Sequence, residues 1–298
     1  MKKMKIIFIG FGKMAREVHL PKVRTFANEI YFYDPFVSSS EAKKIDINDL
    51  GKYDLGIVSS LNSLHFEGYS LLKNRCKNIF IEKPVFIKKE NLDKVLLSKD
   101  KIYTGHILRG KKSTLWLNSF LQKNKAQIKE IYLSVGNPYG WNRKIDFNND
   151  EWFENYGVLH DVGVHILDVL LWSINVNNNR YSVSDINTKT SNNGGDFSGS
   201  FKLNEIPVKM CFSNTTFLPF EIKINLKDDK IIWSPNSITL VKDGFSYTPQ
   251  SKFKGRSDNG IFEDILASKN SSIYHLDKSY NQVVEILEKS SYDYKHSN

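Results

Sequence analysis

The sequence predicts an α/β protein with two domains: a doubly wound parallel sheet, followed by an α+β domain with a mostly antiparallel sheet. Short apolar runs alternate with helical segments in the first third of the chain, and a glycine-rich turn directly follows the first run. Strand-like runs without helices between them fill the second half. Because 298 residues suffice for two domains, we predict a first domain over 1–107 and a second over 108–298.

The composition is that of a globular protein, with 40% hydrophobic and 25% charged residues. The formal charge of +9 comes mostly from scattered single lysines without a nucleic-acid-binding motif, so we expect no nucleic-acid partner. The cysteines, Cys76 and Cys211, are far apart, which favours a reducing cytoplasm. We expect no signal peptide and no membrane span, because every apolar run is too short.

The first predicted strand, Lys5–Ile9, leads into residues 10–15, which read GFGKMA. Glycines at the first and third positions let a pyrophosphate approach the backbone, and the helix that follows favours the anion with its N-terminus. This pattern predicts a Rossmann dinucleotide site. The predicted contacts in the turn are Gly10, Phe11, Gly12, Lys13 and Met14.

A second predicted strand, Ile30–Tyr33, ends at Asp34, which lies 24 residues after Gly10. An acidic residue at this spacing can hydrogen-bond the adenosine ribose diol. Its charge would repel a 2′-phosphate. We therefore expect NAD as cofactor in preference to NADP, although NADP stays possible.

Two further predicted strands complete the nucleotide-binding pattern. The strand Leu55–Ser59 precedes a loop in which we expect Ser60, Asn62 and His65 to contact the cofactor, since loops at the carboxyl ends of parallel strands face the ligand. A helix over 66–74 leads to the strand Asn78–Ile81. That strand ends in Glu82-Lys83-Pro84, where Glu82 and Lys83 are predicted cofactor contacts and proline stiffens the turn. A helix over 89–98 and a strand over 101–104 follow.

The second domain begins with a predicted helix over 112–124 and a strand over 128–135. After a loop at 137–155 and a long helix, successive strand-like runs predict a mostly antiparallel sheet. These runs cover 182–189, 196–203, 206–216, 220–226, 229–233 and 237–242. A final amphipathic helix is predicted over 277–290. An exposed face of this sheet would favour a homo-oligomer, a dimer or a tetramer.

The stretch Gly157–Trp172 predicts a buried helix with one polar stripe, formed by Asp161, His165 and Asp168 at i, i+4 and i+7. A carboxylate and an imidazole one turn apart can share a proton and face a substrate together. Two alternatives remain at this point: a satisfied structural pair in a core helix, or a metal site that includes His160. We expect no metal, because no other His or Cys cluster completes a ligand set.

Taken in order, these motifs resemble the Gfo/Idh/MocA family of nicotinamide-dependent oxidoreductases over nearly the whole chain. The landmarks are the GFGKMA turn, the loop from Asn62 to His65, Glu82-Lys83-Pro84, Gly105 to Arg109, Gly157 to His165, and the FEDIL segment at 262–266. Two details depart from the family pattern. Asn155-Tyr156 replace two glycines before the helix, and Ser60-Leu61-Asn62 lacks the usual proline.

The resemblance implies that Lys83, Asp161 and His165 are catalytic. In the family, the lysine contacts the substrate hydroxyl and the nicotinamide, and the histidine acts as general base in oxidation or general acid in reduction. This is chemically coherent, because histidine titrates near neutral pH and an ammonium stabilises a developing alkoxide. The resemblance assigns Asp161 to orienting the substrate and biasing the ionisation of the pair, and we interpret Asp168 as structural.

The expected substrate is a sugar with a secondary alcohol or ketone, in particular a nucleotide-linked sugar of bacterial surface-polysaccharide biosynthesis. The candidate substrate contacts are Arg109, Trp141, Arg143 and Trp152, of which Arg143 suits a phosphate or carboxylate. Two other functions stay open: a redox-neutral NAD-dependent glycosidase, and a non-enzymatic dinucleotide-sensing regulator. A regulator would be free to lose the catalytic residues, so finding Lys83, Asp161 and His165 together speaks against it.

Overall fold

The computed structural model describes residues 4–124, 127–138, 154–155, 157–175, 182–249, 260–267 and 271–297. The chain forms two compact units. Unit 1 comprises Met1–Phe86, Glu90–Ile107 and Ser257–Asp277, and unit 2 comprises Ile87–Lys89, Leu108–Arg256 and Lys278–Asn298. One division falls after residue 107, and the segment 257–277, which our prediction gave to the second domain, belongs to unit 1.

Unit 1 is built on a six-stranded sheet in the order β3-β2-β1-β4-β5-β6, with every pair parallel. This is the doubly wound order of dinucleotide-binding folds, and it confirms the predicted fold class. The central strand β1 is buried along four of its five residues because parallel strands are covered on both faces. The strands are β1 Lys5–Ile9, β2 Glu29–Tyr33, β3 Lys43–Lys44, β4 Tyr53–Val58, β5 Cys76–Ile81 and β6 Ile102–Thr104.

The helices of unit 1 begin with a π-helix and include several short 3₁₀ turns. They are the π-helix Met14–His19, the α-helices Leu20–Val23, His65–Leu72, Lys89–Leu96 and Ile261–Leu266, and the 3₁₀ turns Ile47–Asp49, Asn62–Leu64 and Ser271–Tyr274. A further 3₁₀ turn, Ile107–Gly110, passes from unit 1 into unit 2.

The core of unit 1 explains why the segment 257–277 returns to it. Phe262 is fully buried, and its ring meets the ring of Phe80 on β5 edge-on, with centroids 5.0 Å apart. Ile261, Ile265 and Tyr274 join the same apolar cluster. The predicted boundary was too simple, because the hydrophobic side chains that tie this segment to unit 1 lie far from it in sequence.

Unit 2 is built on an eight-stranded sheet in the order β14-β13-β12-β11-β7-β10-β9-β8. The pair of β7 with β10 is parallel and the other six pairs are antiparallel, as predicted for this domain. The strands are β7 Ile128–Gly136, β8 Val183–Ser191, β9 Asp196–Leu203, β10 Ile206–Ser213, β11 Leu218–Leu226, β12 Lys230–Trp233, β13 Ile238–Lys242 and β14 Phe245–Tyr247.

The long predicted helix of unit 2 starts with a π-helical turn, Leu159–Gly163, and continues as the α-helix Val164–Asn175. Gly163 lets the turn lie close to β10, because a Cβ atom there would come within 2.5 Å of the Phe212 ring. The other helices of unit 2 are Lys112–Asn124, the 3₁₀ turn Asn192–Gly194 and the C-terminal helix Tyr280–Ser297. Within the described residues, no helix is long and apolar enough to cross a membrane.

Candidate active site

The glycine turn after β1 is packed against the turn after β4. Gly10 has a φ of +82°, and a Cβ atom there would lie 2.5 Å from the backbone nitrogen of Ser60. Ser59 strengthens this contact, since its Oγ donates a hydrogen bond of 2.9 Å to the carbonyl oxygen of Gly10. Only glycine combines that backbone conformation with so close an approach. The predicted cofactor residues Gly10 and Ser60 therefore lie side by side.

The space at the third position of the turn is open. A Cβ atom on Gly12 would meet no heavy atom within 4 Å. Lys13 is exposed and Met14, which begins the π-helix, is half-buried. An open glycine backbone before a helix N-terminus is the arrangement that admits a pyrophosphate.

Asp34 is held at the end of β2 by the backbone. Its Oδ2 accepts the N–H of Phe11 at 2.8 Å, and its Oδ1 accepts the N–H groups of Phe36 and Val37 at 2.9 and 3.0 Å. A carboxylate offers about four acceptor positions, so about one is left for a ribose hydroxyl. Asp34 thus reaches the glycine turn, and its contact with the adenosine ribose stays a prediction. Phe11 corrects our prediction: its side chain is fully buried and stacks on Phe32, and its N–H is already bonded.

His65 joins the turn after β4 to the turn after β5, in which the Lys83–Pro84 peptide is cis. Its ring is fully buried, with Nδ1 at 2.8 Å from the carbonyl oxygen of Pro84 and Nε2 at 3.2 Å from that of Ser60. Burial lowers the pKa of His65 although both carbonyls favour the charged form. We therefore assign the single N–H of a neutral ring to Nδ1. With no exposed surface, His65 supports the cofactor loops instead of contacting a ligand. Asn62 is half-buried in the same loop.

Glu82, which we predicted as a cofactor contact, instead has a protein partner for each of its carboxylate oxygens. Its Oε1 lies 2.6 Å from Nε2 of His19, and its Oε2 accepts the N–H of Lys83 at 2.9 Å. Burial alone would raise the pKa of Glu82, but the hydrogen bond and charge of His19 and the N–H and charge of Lys83 lower it to about 2. We missed His19, whose position at the end of a helix after the glycine turn gave no sign of this contact.

In unit 2, the predicted catalytic pair lies at the accessible part of a buried helix. From 157 to 174 every side chain is buried except those of Asp161, Val162 and His165, which are half-buried. Asp161 belongs to the π-helical turn and His165 to the first turn of the α-helix. Of the three polar residues that periodicity placed on one stripe, Asp161 and His165 are thus reached by solvent, whereas Asp168 is buried.

Arg109 corrects another prediction. It was a candidate substrate contact, but its side chain has no exposed surface and forms a bidentate pair with Asp168, with Nε to Oδ2 at 2.8 Å and Nη2 to Oδ1 at 2.5 Å. Its guanidinium also lies 5.6 Å from the Trp172 ring centroid. Burial raises the pKa of Asp168 while the Arg109 charge opposes that rise. Asp168 is structural, as interpreted, and Arg109 is its partner.

His160, the third member of the metal alternative, is fully buried. No group of three or more His, Cys, Asp or Glu side chains suited to a metal occurs among the residues that the structure describes. The remaining candidate substrate contacts, Trp141, Arg143 and Trp152, lie outside the described residues.

Solved structures with the same fold include two oxidoreductases and an NAD-binding protein. A UDP-N-acetylglucosamine 3-dehydrogenase from Acidithiobacillus ferrooxidans matches at a TM-score of 0.74 and 14% identity, covering 100% of this chain and 98% of its own. An aldose–aldose oxidoreductase from Caulobacter crescentus matches at 0.72 and 11%, covering 98% of each chain. An NAD-binding protein from Listeria innocua matches at 0.71 and 17%, covering 98% and 96%.

No family model and no curated protein matches the sequence. At these identities the structural likeness establishes the fold. Over its whole length the chain has the fold of these solved structures, which is the fold that the motif resemblance implied.

Proposed function

We propose that the protein is a nicotinamide-dependent oxidoreductase that transfers hydride between the cofactor and a secondary alcohol or ketone of a sugar. The observation that carries this proposal is the exposure pattern of the unit 2 helix, where Asp161 and His165 are half-buried among buried apolar neighbours. Buried polar groups are costly unless they are hydrogen-bonded. A carboxylate and an imidazole retained at one accessible spot are better suited to proton transfer than to packing.

The residues of unit 1 fit a dinucleotide. The open backbone at Gly12 leaves room for the pyrophosphate, and Asp34 keeps about one acceptor position for the adenosine ribose. The charge of Asp34 would disfavour a 2′-phosphate, which supports NAD as the cofactor. The Listeria innocua NAD-binding protein of the same fold supports this choice.

The chemistry divides between the cofactor and three side chains. The nicotinamide, when bound, supplies the hydride acceptor or donor. An imidazole nitrogen of His165 takes the hydroxyl proton in oxidation and returns it in reduction. The ammonium of Lys83 stabilises negative charge on the substrate oxygen, and Asp161 orients the substrate and biases the ionisation of His165.

Within this reaction class we favour a nucleotide-linked sugar of surface-polysaccharide biosynthesis. One structure of the same fold is a nucleotide-sugar dehydrogenase. The formal charge of +9 suits an anionic substrate, because a positive surface raises its local concentration. The cytoplasm and a homo-oligomer remain predictions, and sedimentation velocity would measure the second.

The test is near-ultraviolet absorbance of reduced nicotinamide with purified protein, NAD or NADP, and nucleotide sugars beside free sugars and polyols. We expect reduction of NAD with a nucleotide sugar. Reduction only with free polyols would contradict the substrate class, and glycoside cleavage without net reduction would indicate the glycosidase. Binding of NADH without turnover of any alcohol or ketone would indicate the regulator.

Three variants test the residue roles. Lys83→Ala, Asp161→Ala and His165→Ala should each abolish turnover and leave NADH binding largely intact. The matched controls are His275→Ala, a half-buried imidazole packed on Tyr103, and Lys73→Ala, an exposed lysine of unit 1. Both controls should retain full turnover. Unchanged turnover in all three site variants would contradict the mechanism.

A further inference from the structure

The pair formed by His19 and Glu82 connects two parts of unit 1 with different proposed roles. The glycine turn and its helix are proposed to bind the dinucleotide, and the turn after β5 carries Lys83, which is proposed to act on the substrate. His19 is the last residue of the π-helix that follows the glycine turn, and Glu82 is the first residue after β5. Their side chains are 4% and 12% exposed. A contact of 2.6 Å between an imidazole nitrogen and a carboxylate oxygen at such burial is a strong, directional hydrogen bond. It ties the dinucleotide helix to the turn that carries Lys83.

The direction of the hydrogen bond follows from the ionisation of Glu82. With a pKa of about 2, the carboxylate is ionised over the whole range in which enzymes work and can only accept. Nε2 of His19 must therefore carry hydrogen. The second oxygen accepts the N–H of Lys83, so each carboxylate oxygen has a fixed donor. Glu82 therefore accepts one hydrogen bond from His19 at the end of the π-helix and one from the backbone N–H of Lys83.

The surroundings of the pair are shaped to hold it. The His19 ring meets the edges of Phe80 and Phe262, each with centroids 5.4 Å away. Gly105 leaves room for the carboxylate, since a Cβ atom there would lie 2.8 Å from Oε2 of Glu82 and 3.0 Å from the nitrogen of Lys83. The rings of Phe80 and Phe262 thus pack against the His19 imidazole, and the missing side chain of Gly105 leaves space for the Glu82 carboxylate.

We infer that His19 and Glu82 are positioning residues for Lys83. They fix the backbone from which the lysine side chain starts, and so they act on turnover and not on dinucleotide affinity. The inference rests on the proposed function, because it takes Lys83 as the lysine that contacts substrate.

The test compares two replacements of His19 that differ in one property. His19→Gln keeps an N–H donor near the place of Nε2, whereas His19→Leu has similar bulk and no donor. We expect kcat to fall by up to about 100-fold in His19→Leu, since displacing a reacting group by about 1 Å can cost that much. His19→Gln should recover most of this loss. The NADH dissociation constant should stay within about threefold in both, less than 1.4 kcal/mol of binding energy.

Glu82→Gln serves if His19→Leu does not fold. It keeps the side-chain length, removes the charge, and should lower kcat with NADH binding retained. If His19→Gln is no better than His19→Leu, or if NADH affinity falls in step with turnover, the pair is merely structural and the inference is overturned.

A second readout does not need turnover. The acetylation rate of Lys83 relative to exposed Lys73, measured by mass spectrometry, should change severalfold in His19→Leu and return in His19→Gln. An unchanged ratio overturns the inference even if the enzyme is active. Failure of the proposed function would show differently, as wild-type protein that turns over no alcohol or ketone while the Lys83 ratio still responds to His19.

Discussion

A buried ion pair lies next to a predicted functional element in each unit: His19 with Glu82 in unit 1, and Arg109 with Asp168 in unit 2. The two pairs differ in the groups that their carboxylates bind. In unit 1, Glu82 divides its oxygens between His19 and the backbone of Lys83. In unit 2, Asp168 gives both oxygens to Arg109. The first pair thus reaches a residue proposed to act on substrate, whereas the second fastens a helix to its own unit. Both pairs are buried, but we expect the unit 1 pair to position Lys83 and the unit 2 pair to stabilise its unit.

The pairs also differ in their response to pH. An arginine stays protonated at any pH a protein survives, so the unit 2 pair cannot lose its positive partner. Burial raises the pKa of Asp168, whereas the contacts of Glu82 overcome burial and lower its pKa to about 2. We therefore expect the unit 2 pair to dominate stability and the unit 1 pair to contribute a distinct acid sensitivity.

The largest effect should come from Arg109→Leu. It leaves the Asp168 carboxylate buried without its guanidinium, and breaking a buried pair in this way costs about 3–5 kcal/mol. All five tryptophans lie in the unit 2 ranges, so urea unfolding followed by tryptophan fluorescence reads this unit. The double variant Arg109→Leu with Asp168→Leu should recover much of the loss.

The control for this prediction is a surface pair of the same unit. Lys202 and Asp185 form an ion pair of 2.8 Å with side chains 44% and 62% exposed. Lys202→Ala should change the unfolding free energy by less than about 1 kcal/mol, because exposed pairs contribute little. A loss in Arg109→Leu no larger than in Lys202→Ala would show that the buried pair does not stabilise unit 2.

The next largest effect is the loss of stability at low pH that Glu82 should cause. The folded pKa of Glu82, about 2, lies below its ordinary value of 4.5, so its contribution is present above about pH 4.5 and is lost as pH falls toward 2. The difference corresponds to about 3 kcal/mol. Glu82→Gln should remove this slope, so its unfolding free energy, measured by far-ultraviolet circular dichroism, should fall less steeply with acid than that of wild type. Parallel curves for the two proteins would contradict the assignment.

The sequence was sufficient for elements with a local signal. The apolar run Lys5–Ile9 and the glycines after it predict a buried strand and its turn without knowledge of the rest of the chain. The strand Lys43–Lys44 could not be predicted, since two lysines carry no strand pattern and their pairing with β2 depends on the sheet already formed. The return of 257–277 to unit 1 depends likewise on tertiary contacts of Phe262.

The candidate site shows the same limit. Periodicity placed Asp161, His165 and Asp168 on one polar stripe because their relation is local, but it did not show that Asp168 is buried while the other two are half-buried. The partners of Glu82 and Asp168 lie 63 and 59 residues away, and neither His19 nor Arg109 has a neighbour in sequence that marks it. Arg109 was wrongly given to the substrate because arginine is seldom fully buried unless it is paired, and its partner is visible only in the fold.

A smaller effect on stability is expected at the glycine turn. Gly10→Ala introduces both a left-handed backbone strain and a Cβ atom 2.5 Å from the backbone of Ser60. Gly244→Ala is the matched control, because Gly244 has a φ of +80° but no heavy atom within 4 Å of its Cβ position. Gly244→Ala should cost about 1 kcal/mol from backbone strain alone, and Gly10→Ala clearly more. Equal losses would mean that the two turns are not in contact.

The smallest effect on stability, and the most informative about the ligand, is expected at Gly12. Its Cβ position is open, so Gly12→Ala should leave the unfolding free energy within about 0.5 kcal/mol of wild type. If a pyrophosphate occupies that space, the added methyl group meets the ligand, and NADH affinity measured by fluorescence should fall by at least about tenfold, or 1.4 kcal/mol. If the unfolding free energy of Gly12→Ala is unchanged while its NADH affinity falls, the loss of affinity cannot be due to a damaged turn. Unchanged NADH affinity in Gly12→Ala would place the dinucleotide elsewhere and remove the basis for Lys83 as a cofactor contact.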